Sequence, residues 1–233
     1  MKNLKRKCKK WGMFFLLLVC VGFVITNCKV VTVQAATRTF RVNGRTYIEK
    51  HSEGGYYDTI LYQKVSGRTR QVAKISKYLM YRFSYGGKLY FEFGEGAIPC
   101  VTYTYTIGKK GFKLERKNMA LTEHRGRYAV GYISVPGDPS PGELCFYDMA
   151  SKKMKKLGRG SSIRFIGNKI YYASVYNKYT MQIVRRNADG SGKKILKTVR
   201  ENKNRTLTYM SITNSHEAWY YSYSPWVKKI VRF

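Results

Sequence analysis

The chain has 233 residues, 44 Lys and Arg against 13 Asp and Glu, a formal charge of +31, and 44% hydrophobic with 15% aromatic residues. That apolar share is too high for a disordered polycation, and the length is enough to bury a core as one domain. A charge excess of this sign attracts polyanions through counterion release and long-range steering.

The N-terminus has a basic stretch, Lys2 to Lys10, an apolar run, Gly12 to Ile25, and a polar stretch ending in Val33-Gln34-Ala35-Ala36. This is the order of an export signal. The apolar run of 14 residues is shorter than the roughly 18 to 20 a spanning helix needs. Small residues Val33 and Ala35 place the expected cut after Ala35. Residues 1–35 then form a signal helix and residues 36–233 the mature domain. The long interval from Ile25 to Ala35, which holds Lys29, leaves an uncleaved membrane anchor as the alternative. The mature part keeps 37 basic and 13 acidic residues, a formal charge of +24. For an exported chain the polyanions within reach are cell-wall polymers, with anionic membrane surfaces next; no nucleic acid is in that compartment.

Beyond the signal, apolar residues alternate or fall in short runs, β-branched and aromatic types dominate, and Gly-rich turns break the chain every eight to twelve residues. This predicts an all-β chain. Turns at Asn43-Gly44, Gly86-Gly87, Arg125-Gly126, Gly167-Asn168 and Ser215-His216 recur at steps of 43, 39, 41 and 49 residues. A period near 40 predicts a β-propeller of about five blades of four antiparallel strands. The first unit is expected at Thr39–Val42, Thr46–Lys50, Thr59–Val65 and Gln71–Ile75. The second follows at Leu79–Ser84, Lys88–Phe93, Val101–Ile107 and Phe112–Arg116. Second and third strands of the next two units fall at Tyr128–Ser134 with Glu143–Asp148, and at Lys169–Ser174 with Met181–Asn187. The fifth has Thr208–Thr213, Glu217–Tyr223 and Val227–Arg232 and is incomplete. Either a three-stranded blade closes the ring, or Ala36–Phe40 supplies its edge strand. Adjacent strand residues point to opposite faces, so both members of Tyr171-Tyr172 and of Tyr220-Tyr221 are expected to be buried between blades.

The runs Gly167-Asn168-Lys169-Ile170-Tyr171-Tyr172-Ala173-Ser174 and Arg185-Arg186-Asn187-Ala188-Asp189-Gly190-Ser191-Gly192-Lys193-Lys194-Ile195-Leu196 resemble exported bacterial β-propeller repeats. Those are similar to low-density-lipoprotein-receptor-like and TolB-type propeller repeats. Partial copies stand at Gly87-Lys88-Leu89-Tyr90-Phe91 and Glu217-Ala218-Trp219-Tyr220-Tyr221-Ser222. The receptor-type repeat follows its aromatic pair with Thr-Asp, whose side chains tie blades together. Ala173-Ser174 and Ser222-Tyr223 stand there instead.

Chemistry-bearing motifs are scarce. His51, His124 and His216 lack metal-ligand spacing, and no P-loop, Gly-x-Ser-x-Gly or Cys-x-x-Cys occurs, so no catalytic residue, metal or cofactor is expected. Glu92 and Glu95 are the carboxylate pair a glycan-active enzyme would use; solvated rim carboxylates are the plainer reading. Cys100 and Cys145 fall at equivalent places in neighbouring repeats. Facing sheets lie roughly 10 Å apart and a disulfide needs Cα atoms within about 7 Å, so two half-buried thiols are expected.

The loops joining second to third strands open on one rim and carry Tyr56, Tyr57, the stretch Pro136 to Pro141, Tyr176, Tyr179, Tyr223 and Trp226. Rings presented beside a basic surface stack on sugars or on a partner's apolar anchors. These six aromatics are the candidate ligand-binding residues. Lys152 to Arg159 and Lys193 to Arg205 fall on turns and outer strands, where charge also keeps edges from pairing with other chains. The function expected is a non-catalytic binding or scaffold module at the cell surface, recognising a protein, a glycan or an anionic wall polymer. A glycan-active enzyme and a membrane-tethered sensor are the alternatives.

Overall fold

Pairs of left-handed residues close the tight hairpins: Asn43 and Gly44 (φ 48° and 73°), Ser66 and Gly67 (48° and 76°), Gly86 and Gly87 (57° and 72°). A two-residue turn with both φ positive twists the same way as the strands it joins. The computed structural model describes residues 37–52, 58–93, 100–134, 142–202, 204–223 and 226–233. All its regular elements are strands, as the alternation predicts. The proposed signal helix and the Pro136 to Pro141 stretch lie outside the described residues.

The first sheet contains β1 (Thr37–Val42), β2 (Arg45–His51), β3 (Thr59–Val65) and β4 (Arg68–Ile75), in that order. The second contains β5 (Met80–Tyr85), β6 (Lys88–Phe93), β7 (Val101–Thr106) and β8 (Lys113–Arg116). A seven-stranded sheet follows: β9 (Met119–Arg125), β10 (Tyr128–Ile133), β11 (Glu143–Asp148), β12 (Lys153–Ile166), β13 (Lys169–Asn177), β14 (Thr180–Asn187) and β15 (Lys194–Arg200). The last sheet has three strands, β16 (Thr206–Ile212), β17 (Glu217–Tyr223) and β18 (Val227–Arg232). Neighbouring strands pair antiparallel throughout. The alternative use of Ala36–Phe40 as an edge of the last sheet is corrected: Thr37 to Val42 pair with Lys50 to Arg45 in the first.

The seven-stranded sheet is two four-stranded units sharing one strand. β12 pairs with β11 through Lys153 to Arg159 and with β13 through Gly160 to Ile166. Gly158 takes φ 96°, and a Cβ placed on Gly160 would lie 2.3 Å from both Ala173 O and Leu144 Cδ1. Only glycine lets the strand pass this crossing. The described residues thus form five antiparallel units, the third and fourth continuous through β12.

Among the described residues four apolar clusters hold the units together, each joining one unit to the next. Tyr47 and Leu61 meet Leu89 and Phe91; Phe83 and Tyr90 meet Leu121, Ala129 and Tyr147. Val130 and Leu144 meet Ile170 and Tyr172, and Tyr171 and Ile183 meet Met210, Ala218 and Tyr220. Each large side chain so buried contributes roughly 1.5–3 kcal/mol. Cys145 is buried and Cys100 partly so, both as free thiols; burial pushes the Cys145 thiol up to about 12.

Where the receptor-type repeat has Thr-Asp, this chain ties its units with other side chains. Thr59 Oγ1 donates to Lys77 O at 2.7 Å and accepts from Leu79 N at 2.8 Å. Thr102 Oγ1 does the same with Met119 O at 2.7 Å and Leu121 N at 3.1 Å. Ser161 Oγ donates to Met210 O and accepts from Met210 N, at 2.9 and 3.0 Å. In each case a hydroxyl spans the interface and satisfies one N–H and one C=O of the next unit's first segment, groups whose burial unpaired would cost about 1–3 kcal/mol each.

Candidate functional site

The alternation of β17 sorts the last sheet into two faces. Ala218, Tyr220 and Ser222 are buried, and Ala218 and Tyr220 pack on the fourth unit. Trp219, Tyr221 and Tyr223 point the other way, and register adds Tyr209 opposite Tyr221 and Ile230 opposite Trp219. Tyr209 is 41% exposed, Tyr223 52%, Trp226 64% and Ile230 65%. The expectation that both Tyr220 and Tyr221 are buried is corrected on this point: Tyr221 is half-buried on the outer face. The expectation holds for Tyr171 and Tyr172, because the fourth unit has a neighbour on each side.

The rings form a continuous ladder. Tyr209 and Trp219 have centroids 5.6 Å apart, Trp219 and Tyr221 5.3 Å, Tyr221 and Trp226 5.8 Å, and Tyr223 and Trp226 5.4 Å. The last three pairs are edge-to-face, an arrangement in which each ring fixes the next. Lys228 Nζ stands 4.6 Å over the Trp219 ring, so the ladder carries a cation on its surface.

A charged cluster beneath the sheet holds it in place. Glu201 accepts from Tyr220 Oη at 3.0 Å and from Lys229 Nζ. Burial raises the Glu201 carboxyl, but the bonds from Lys229 and Tyr220 outweigh it and hold the group below its ordinary value. Burial together with Glu201 pushes Tyr220 up to about 12.

Of the six predicted ligand-binding residues, Tyr223 and Trp226 belong to the ladder. Tyr176 is near the end of β13 and Tyr179 is in the β13–β14 turn. Tyr176 is 74% exposed, and it is a strand residue, since β13 extends three residues past its expected end. Lys178 Nζ lies 4.9 Å over the Tyr179 ring. Lys178 O accepts from Leu207 N at 2.9 Å, and the neighbouring Thr206 is the register partner of Tyr223. These four aromatics therefore lie at the same end of the last two units. Tyr56 and Tyr57 lie outside the described residues.

Opposite this rim, the turns at Arg125–Tyr128, Asn168–Lys169 and Asn187–Asp189 line a cleft of about 540 Å³. Arg127 is paired with Asp148 at 2.7 Å, and Lys169 donates to Asn187 Oδ1 at 2.6 Å. Nothing in the sequence marks it, because its residues come from three turns a full repeat apart or half a repeat apart.

Arg82 Nε engages Glu92 at 2.5 Å, and Glu95 lies outside the described residues. Thr59, His51 and Glu49 do form a hydroxyl–imidazole–carboxylate series, with Thr59 Oγ1 3.3 Å from His51 Nδ1 and His51 Nε2 3.1 Å from Glu49 Oε1. Thr59 is wholly buried and gives its proton to Lys77 O, so the series is structural. Among the described residues no group of three His, Cys, Asp or Glu side chains is placed to hold a metal ion.

No protein-family model and no curated protein matches the chain. Solved structures do. A prolyl endopeptidase, from a study of inter-domain dynamics in catalysis and specificity, matches 85% of this chain and 34% of its own at 14% identity, with a TM-score of 0.57. TolB from Acinetobacter baumannii matches over 80% of this chain and 51% of its own at 12% identity, with a TM-score of 0.44. The chain thus spans about a third of the endopeptidase chain. The likeness to the endopeptidase is one of fold alone, and together with the meandering sheet order it makes this a propeller-like all-β protein.

Proposed function

We propose that the chain is an exported, non-catalytic binding module built as a propeller of about five blades, the last incomplete, which captures an anionic glycan-bearing wall polymer at the cell surface. The observation that carries this reading is the set of rings at one end of the last two units, Tyr176, Tyr223 and Trp226 exposed and Tyr179 half-buried, with Lys178 and Lys228 over the Tyr179 and Trp219 rings. Ring faces stack on sugar C–H surfaces while ammonium groups meet phosphate or carboxylate substituents. The +24 charge of residues 36–233 supplies the long-range attraction. If residues 1–35 remain attached, the same module is membrane-tethered, and the mass of the native N-terminus distinguishes the two forms.

The reading is tested by retention of purified protein on isolated cell walls. Tyr176→Ala combined with Trp226→Ala is expected to cut retention about tenfold, the loss of one or two stacking contacts of roughly 1 kcal/mol each, with the melting temperature unchanged.

A further inference from the structure

The third residue of each unit's second strand has one job in four of the five units. Tyr47 of β2, Tyr90 of β6, Val130 of β10 and Tyr171 of β13 are 0, 3, 0 and 5% exposed. Each packs beneath the following unit. The same position in β17 is Trp219, which lies on the outer face with the exposed Tyr209 and Ile230 beside it.

The reverse holds at the other end. The second and fourth residues of these strands face the preceding unit: Leu89 and Phe91, Ala129, Ile170 and Tyr172, Ala218 and Tyr220, all buried. In β2 the equivalents are Thr46 and Ile48, half-buried. Register sets Ile48 beside Tyr62, with Ile60 one pleat along, and Lys50 Nζ lies 5.5 Å over the Tyr62 ring. Among the described residues no apolar cluster joins the fifth unit to the first.

Among the described residues, one following-unit face and one preceding-unit face are therefore left without an apolar cluster across them, and they are of the kinds that meet at the four interfaces between units. We infer that the two dock head to tail between copies: Trp219, Tyr209 and Ile230 of one chain receive Ile48, Ile60 and Tyr62 of a second. The contact continues the sheet stack across the molecular boundary. It is heterologous, so two copies close on each other or longer arrays grow. Both faces carry lysines, Lys228 on one and Lys50 and Lys64 on the other, so their mutual repulsion is screened by salt. Self-association therefore strengthens as salt rises, the reverse of polyanion capture, and its failure leaves the glycan reading standing.

Sedimentation velocity of the purified full chain, over about 1 to 200 μM and from about 50 to 500 mM salt, tests the inference. Association that rises with both is expected. Trp219→Glu and Ile60→Glu, each checked by circular dichroism and melting temperature, are each expected to be monomeric. Their equimolar mixture is expected to restore a dimer, because each retains the face the other has lost. Ile230→Lys, a milder change at an exposed site, is expected to weaken association at least fivefold. A wild-type monomer at every concentration, variants that still associate, or a mixture that stays monomeric would each overturn the inference.

Discussion

Nε2 of His51 lies 3.1 Å from Oε1 of Glu49, both side chains buried between the first two units. Thr59 Oγ1 spends its own proton on Lys77 O, so His51 Nδ1–H donates to it and Nε2 faces Glu49 with its lone pair. Glu49 also accepts from Tyr81 N, at 3.3 and 3.2 Å to its two oxygens. Burial raises the Glu49 carboxyl to about 7 against the pull of that N–H and of Arg38 and Arg82, and burial lowers His51. The pair thus holds one proton between two buried groups near neutrality.

A carboxyl whose folded value is raised stabilises the fold fully below its unfolded value and loses that contribution as pH rises through the folded one. Stability is expected to fall between about pH 5 and pH 8, by up to roughly 3 kcal/mol for a shift of this size. His51 acts oppositely, contributing above its unfolded value and losing that contribution as pH falls. Glu49→Gln is expected to flatten the loss on the alkaline side, read by urea denaturation at a series of pH values. A wild-type stability that rises over that interval would contradict the assignment of the shared proton.

Gly160 sits where β12 passes from the third unit to the fourth. Gly160→Ala places a Cβ within 2.3 Å of the Ala173 carbonyl oxygen, and backbone cannot step aside as a side-chain tip does. A loss of about 3 kcal/mol or more is expected in chemical denaturation, at the upper end for overpacking. An alanine variant as stable as the parent would show that β12 has slack at the crossing.

The hydroxyl ties are separable from packing. Thr102→Val keeps the shape of the side chain but strands Leu121 N and Met119 O across the interface, an expected loss of about 1–3 kcal/mol. Thr102→Ser retains the bonds and is expected to lose less than half as much. Equal losses in the two variants would mean that the methyl group, not the hydroxyl, matters at this position.

The units were legible because their punctuation is local. Asn43-Gly44 and Gly86-Gly87 can be little else than hairpin turns, and the short apolar runs in Lys88–Phe93 and Glu143–Asp148, with the aromatic-rich Glu217–Tyr223, mark strands that the structure has with the same bounds. The β12 strand was not legible, since Gly158 and Gly160 read as breakers, whereas Gly158 absorbs a left-handed φ inside a ladder that continues. Thr59, Thr102 and Ser161 gave no signal, because Thr and Ser are ordinary strand residues until a neighbouring backbone comes within reach. In the candidate site, Tyr223 and Trp226 were visible as rings beside a turn. Trp219 and Tyr221 were hidden among buried aromatics of the same spacing, and what separates them is whether another unit covers the face.

Retention on isolated cell walls across a salt series tests most directly the claim that this is a capture module. Wild-type protein is expected to bind at low salt and to weaken without vanishing near physiological salt, while the Tyr176→Ala, Trp226→Ala double variant loses the salt-resistant fraction and keeps its melting temperature. Equal retention of wild type and double variant at every salt concentration would contradict the account and leave only nonspecific attraction of a basic protein to a polyanion.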